Sequence, residues 1–461
     1  MRTGFRVLAA LMLSGWAIAA LAQDEAPRER RSAQTGPIKS DRYRVTFVRL
    51  GSDRMDGFVY EPTTPGPKAH IAVVYAFPAP NFTFSVAPEL ASRGYRVMLV
   101  RHYGVDLGPT DGFAETSKGI AYMRTVLGVD RVLVLGHSGG GRMMSSYANI
   151  SANGPAACQR PEVIYPCKTA DVAGLAKPDG VILLDPDMGG SEYMASIDPA
   201  FDDNGKRTRT DLDMFSPANG YDPKTGSAHY SPAFLKRFYA AQSARNNKIV
   251  DQALARLKLV ESGQGSFSDD EPFVVPGASS VRPGGARIDH IDLSIHHHTK
   301  KPHLLLKADG TDQETVIQSV RPPEGDLDSK LVGTMGRGGA IVTTVRGYLA
   351  NYAVRTGRDF AITEDDVIGV DWRTTNRQSV MSAEGITVPT LVVSMTCNHL
   401  VAPDEIIFDH LAAKDKTYAA VEGAVHTFTA CKPEYGDTRK RLFDYVDSWL
   451  SKPGRFLSSP N

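Results

Sequence analysis

The chain has 461 residues, 42% of them apolar, and its 52 basic side chains equal its 52 acidic ones. Such a balance lacks the basic excess that nucleic acids or anionic surfaces attract, so neither is expected as its main partner. The length and apolar content suit one large folded domain or two smaller ones.

Residues 1–22 read as a secretory signal peptide. Arg2 and Arg6 open it, Val7 to Leu21 is an apolar run, and Ala20-Leu21-Ala22 has the small residues of a cleavage site before Gln23. The run is short of the about 20 residues a membrane span needs, and no later segment reads as a span. The mature protein is therefore expected to be secreted or periplasmic, without stable membrane insertion. Residues 23–40, rich in Arg, Pro, Gln and Ser, read as a disordered leader. The four cysteines are Cys158, Cys167, Cys397 and Cys431. Their even number in an exported chain suggests disulfides, and neighbour pairing is the simplest of three connectivities.

From Tyr43 the pattern is regular. Tyr43–Val48 and Met55–Tyr60 read as strands, and His70–Phe77 and Tyr95–Arg101 as continuously apolar, buried strands. Pro88–Arg93 and Phe113–Leu127 read as helices, the latter closed by Gly128. Arg131–Leu135 and Val181–Leu184 are two more buried strands, with a helix near Met143–Ala148 between them. Strands alternating with helices predict a mostly parallel sheet covered on both faces.

The pattern lapses over residues 189–383 and resumes with a strand at Thr390–Ser394, a helix near Asp404–Ala413, a strand at Thr417–Glu422 and a helix from Tyr435 to Leu450. Within the lapse, Ala286–His297, His303–Lys307 and Glu314–Val320 read as a small β-meander, and Ala340–Thr356 as a helix. Residues 41–188 and 384–461 are thus expected to form one split core. Residues 189–383 would be inserted at the loop end of the sheet, as a cap over a ligand site.

The strand Arg131–Leu135 runs into Gly136-His137-Ser138-Gly139-Gly140-Gly141 and then into a helix. A serine on so tight a bend has its hydroxyl exposed, and side chains two positions away on either side would collide. The following helix N-terminus favours developing negative charge. Strand, Gly-x-Ser-x-Gly and helix resemble the nucleophile elbow of the α/β-hydrolase family. That resemblance implies an α/β fold with a helix-flanked parallel sheet and a cap, and an acyl-enzyme formed on Ser138.

The same resemblance implies a histidine base after the last strand, which is His426. His137, inside the elbow, is expected to point away from the hydroxyl as support. The acid usually follows the strand Thr390–Ser394, but Asn398 stands there. Asp185, in Leu-Asp-Pro at the end of the preceding strand, is the first candidate, with Asp404, Asp187 and Glu405 as alternatives. Gly139 is expected to give one oxyanion-hole N–H, and Phe77 or Ala79 the other, because Pro78 and Pro80 have none. A Cys397–Cys431 bridge, at a place where some exported relatives carry one, would clamp the His426 loop.

No cofactor is implied. His296 and His298 would share a strand face, and Asp269, Asp270 and Glu271 form an acidic turn, but neither has the spacing of a zinc or calcium site, and no metal is expected. The expected function is an exported serine hydrolase of carboxylic esters acting on a small or lipid-like ester. Amidase, lactonase, acyltransferase and silent binding protein are the alternatives on the same fold.

Overall fold

The structure is a computed structural model, and it describes residues 40–457 apart from 52–54, 77–85, 102–107, 109, 279–286 and 324–338. The signal peptide, nearly all of the leader, and Phe77 and Ala79 therefore lie outside the described residues.

Ten strands form the central sheet. In chain order they are β1 (Tyr43–Arg49), β2 (Asp56–Pro62), β3 (Ile71–Ala76), β4 (Arg96–Arg101), β5 (Arg131–Ser138), β6 (Gly180–Pro186), β7 (His298–Leu306), β8 (Asp312–Gln318), β9 (Thr390–Met395) and β10 (Lys416–Val421). Their order across the sheet is β1-β2-β4-β3-β5-β6-β9-β10-β7-β8. Pairing is antiparallel at the two margins and parallel from β4 through β7.

The parallel strands are apolar throughout because both faces are covered. Val132 and Val134 of β5 enter one core with Val181 and Leu183 of β6. Leu133, Leu135, Ile182 and Leu184 enter the other. The longer helices are α1 (Val86–Ser92), α2 (Phe113–Thr125), α3 (Gly139–Asn153), α4 (Pro232–Glu261), α5 (Val345–Asn351), α6 (Val401–His410) and α7 (Thr438–Leu450). The first core takes α2, α3 and α6, and the second takes α1 and α7. Leu442, Phe443, Val446, Trp449 and Leu450 of α7 are buried at helical spacing, each worth about 1.5–3 kcal/mol of apolar burial.

The segment between β6 and β9 differs from the sequence reading in four places. Within the expected strand Ala286–His297, the described residues 287–297 form no strand. They hold a short helix at Ile288–Ile291, and the strand begins at His298. The strand then runs straight through Pro302, which reads as a turn in sequence. The pairing shifts register between His298 and Pro302, and a bulge of this kind tolerates a residue with no N–H. Third, β7 and β8 are no separate meander, because β7 pairs in parallel with β10 (Leu304 opposite Ala419) and widens the central sheet.

Ala340–Thr356 is only partly helical. Its β-branched start, Ala340–Thr344, pairs with Pro272–Pro276. Helix α5 then starts where the Thr344 side chain accepts from Gly347 N, and Arg355–Ile362 is again a strand. Helices α4 and α5 share a third apolar cluster around Ile249, Val250, Tyr348 and Leu349.

Candidate active site

Adjacent parallel strands β5, β6, β9 and β10 end side by side, and the candidate residues cluster at those ends. Ser138 is the last residue of β5 and stands at φ 54°, ψ −129°, outside the regions ordinary residues favour. Gly139 opens α3 directly after it, so the first N–H groups of that helix rise beside the serine. The bend leaves no room for side chains. A Cβ on Gly136 would lie 2.3 Å from Gly140 O, and one on Gly141 would lie 2.3 Å from Pro186 Cβ. The need for Gly136 is visible in the motif. Gly141 is required by β6, which sequence reasoning misses.

Asp185, near the end of β6, is fully buried, and it too has positive φ, at 45°. Three groups converge on its carboxylate. His426 Nδ1 lies 2.5 Å from Oδ2, Asn398 Nδ2 donates to the same oxygen at 2.5 Å, and Met395 N donates to Oδ1 at 3.1 Å. A carboxylate accepts all three, and the acceptance fixes the proton of His426 on Nδ1, leaving Nε2 as the basic nitrogen. The 3.2 Å approach of Asn398 Nδ2 to His426 Nδ1 follows from two donors sharing one oxygen.

His426 follows β10, and its side chain is about one-third exposed (32%). Its ring lies 4.6 Å, centroid to centroid, from that of His137. His137 Nε2 lies 2.8 Å from His426 O, and its ring also meets Phe428 at 4.6 Å. Burial first, and the neighbouring His426 second, hold the His137 imidazole well below its usual pKa. It is therefore neutral and donates Nε2–H to that carbonyl, fixing the loop that carries His426 beside the elbow. The Cys397–Cys431 bridge, with Cα atoms 6.3 Å apart, ties the loop after β9 to the loop after β10. Cys158–Cys167 is the second bridge, at 5.6 Å.

The other acids are engaged elsewhere. Asp187 pairs with Arg142 at 3.3 Å and accepts from Gly189 N, while its own N–H donates to Ser138 O. Asp404 is buried inside α6, where Ser394 Oγ donates to it at 2.6 Å. Glu405 accepts from Lys300 N and Lys301 N and faces His303 Nε2 at 2.7 Å. Arg142 and Asn398 are the residues the sequence undervalues. Asn398 occupies the place where a carboxylate was sought, and it holds the carboxylate that comes from β6.

The strand order, the elbow at Ser138 and the histidine after β10 form one pattern. The chain has the α/β-hydrolase fold. No protein-family model and no curated protein sequence matches it. Among solved structures it is similar to carboxyl esterase 2 of the mycorrhizal fungus Tuber melanosporum (11% identity, 91% of this chain and 88% of that chain covered, TM-score 0.39). It is also similar to a monoglyceride lipase of Saccharomyces cerevisiae (11%, 92% and 98%, 0.39) and a proline iminopeptidase of Mycobacterium smegmatis (12%, 88% and 100%, 0.37). Among the described residues, no helix of the chain is long and apolar enough to cross a membrane.

Proposed function

We propose that this chain is an exported serine hydrolase that cleaves a carboxylic ester through an acyl-enzyme on Ser138. The observation that carries the reading is the 2.5 Å contact of buried Asp185 with His426 Nδ1, with Ser138 held at positive φ at the end of the strand that pairs with β6. In this reading Ser138 Oγ attacks the ester carbonyl carbon as its proton passes to His426 Nε2. The carbonyl oxygen becomes an oxyanion facing Gly139 N–H. The tetrahedral centre collapses, the bond between the acyl carbon and the alkoxy oxygen breaks, and the alcohol leaves with the proton from His426. Water then attacks the acyl-enzyme with His426 again as base, releasing the acid and restoring Ser138. Asp185 stays ionised throughout and stabilises the imidazolium.

Residues 189–383 cover the site as a cap in this reading, with the hairpin β7–β8 belonging to the sheet. Export rests on the pattern of residues 1–22, and the two disulfides are compatible with an oxidising compartment. A fluorophosphonate probe tests the nucleophile. Wild type labels at Ser138 and Ser138→Ala does not. An unlabelled wild type overturns the reading. A panel of p-nitrophenyl esters of increasing acyl length tests the ester class.

A further inference from the structure

On the far side of the Asn398 loop lies a second cluster of titratable side chains that the hydrolytic site does not use. Asp289 and His290 come from the short helix Ile288–Ile291, and His399 follows Asn398 after β9. Each offers one ligand atom, and these atoms all lie within 4.8 Å of one another. Asp289 is fully buried and His290 nearly so (5% exposed). The rings of His290 and His399 are 4.5 Å apart. His296 approaches from the following turn, 1% exposed, with Nδ1 3.5 Å from Asp289 Oδ2. Nδ1 of His296 thus faces a carboxylate, while its Nε2 makes no hydrogen bond among the described residues. A buried imidazole left so is costly unless something else takes its lone pair.

We propose that Asp289, His290 and His399 bind one divalent cation of the zinc class, with His296 facing Asp289 beside them. Two imidazoles and a carboxylate suit zinc, cobalt or nickel, whereas calcium and magnesium take oxygen ligands. Four-coordinate zinc, with bonds of about 2.0–2.1 Å, holds its donors about 3.4 Å apart, so side-chain rotation must close the widest gap by more than an ångström. Arg287 pairs with both oxygens of Asp289, so the ion must displace Arg287 Nη2 from Oδ2. Arg287 Nε donates to Asp289 Oδ1 at 2.9 Å, and that contact persists. A guanidinium on the outer oxygen then orients the ligand. The ion would join the 287–296 segment to the loop whose preceding residue, Asn398, holds Asp185. It is thereby a structural clip on the catalytic acid, and its binding does not depend on Ser138.

The test uses the untagged chain, stripped by a chelator and titrated with Zn²⁺ by calorimetry, with Co²⁺ absorption as a second readout. One ion per chain should bind with a micromolar or lower dissociation constant, and Co²⁺ should give the intense visible bands of a four-coordinate site. His399→Ala, at a half-buried position, and His290→Ala should each weaken Zn²⁺ binding at least a hundredfold, with circular dichroism reporting the fold. No saturable binding by wild type overturns the proposal, as does unchanged binding in a folded His399→Ala. Because the readout is metal affinity, a failed fluorophosphonate experiment at Ser138 leaves this result standing, and the converse also holds.

Discussion

Asp185→Asn keeps the shape of the buried acid and removes its charge at a point where three donors converge. Met395 N, Asn398 Nδ2 and His426 Nδ1 all need an acceptor there. The amide offers one oxygen and two N–H donors. If its oxygen stays on Met395 N, its NH₂ faces His426 Nδ1. The imidazole then moves its proton to Nε2, where a base must be free. If the oxygen turns toward His426, the NH₂ confronts Met395 N–H and a buried donor goes unpaired, at about 1–3 kcal/mol. Either arrangement also deprives the imidazolium of its counter-charge. The expected loss is about 10⁴ in kcat, or about 5.5 kcal/mol of barrier at 1.36 kcal/mol per decade. KM should stay within a few-fold, since no substrate contact is altered. Initial rates on p-nitrophenyl esters, with Ser138→Ala as the blank, measure this. If Asp185→Asn keeps more than about a tenth of wild-type kcat while Ser138→Ala is inactive, the assignment of the acid is wrong.

Three further outcomes follow from particular contacts. Asp198 is fully buried, and burial raises its carboxyl to about 6 despite the hydrogen bond from Ala200 N. Its folded pKa lies above the unfolded one, so its ionised form is a penalty at neutral pH that fades as pH falls through about 6 toward the unfolded value. Asp198→Asn should therefore raise unfolding free energy by on the order of 1–3 kcal/mol near pH 8 and by much less near pH 4, read by urea titration at both. Gly136→Ala would set a methyl 2.3 Å from Gly140 O, where only backbone could yield. It should abolish soluble expression or fluorophosphonate labelling, and a fully active variant would contradict the described elbow. Replacing Cys397 and Cys431 together by Ser opens a 34-residue link and should cost about 2–4 kcal/mol in chemical denaturation.

Much of the core could be read along the chain because its strands are buried on both faces. Continuous apolar runs such as Ile71–Ala76 and Thr390–Met395 carry their own signal and need no partner to be recognised. The elbow is equally local, since a serine at positive φ forces glycine at fixed offsets. Reading failed where a neighbour overrides local pattern. Pro302 looks like a turn, but β10 offers an edge on which a bulged strand can add. Ala340–Thr344 looks helical until Pro272–Pro276 pairs with it.

The site divides in the same way. The Gly-x-Ser-x-Gly turn marks Ser138 locally, and the resemblance it carries implies a histidine after the last core strand. The sequence only ranks the carboxylates that could meet His426, Asp185 first and Asp404, Asp187 and Glu405 after it, since all lie in loops or helix starts near the same sheet edge. Only the packing of β6 between β5 and β9 brings Asp185 to Nδ1 and Asn398 onto its oxygen. The order of strands across a sheet is a property of pairing between distant segments, and no single stretch of chain encodes it.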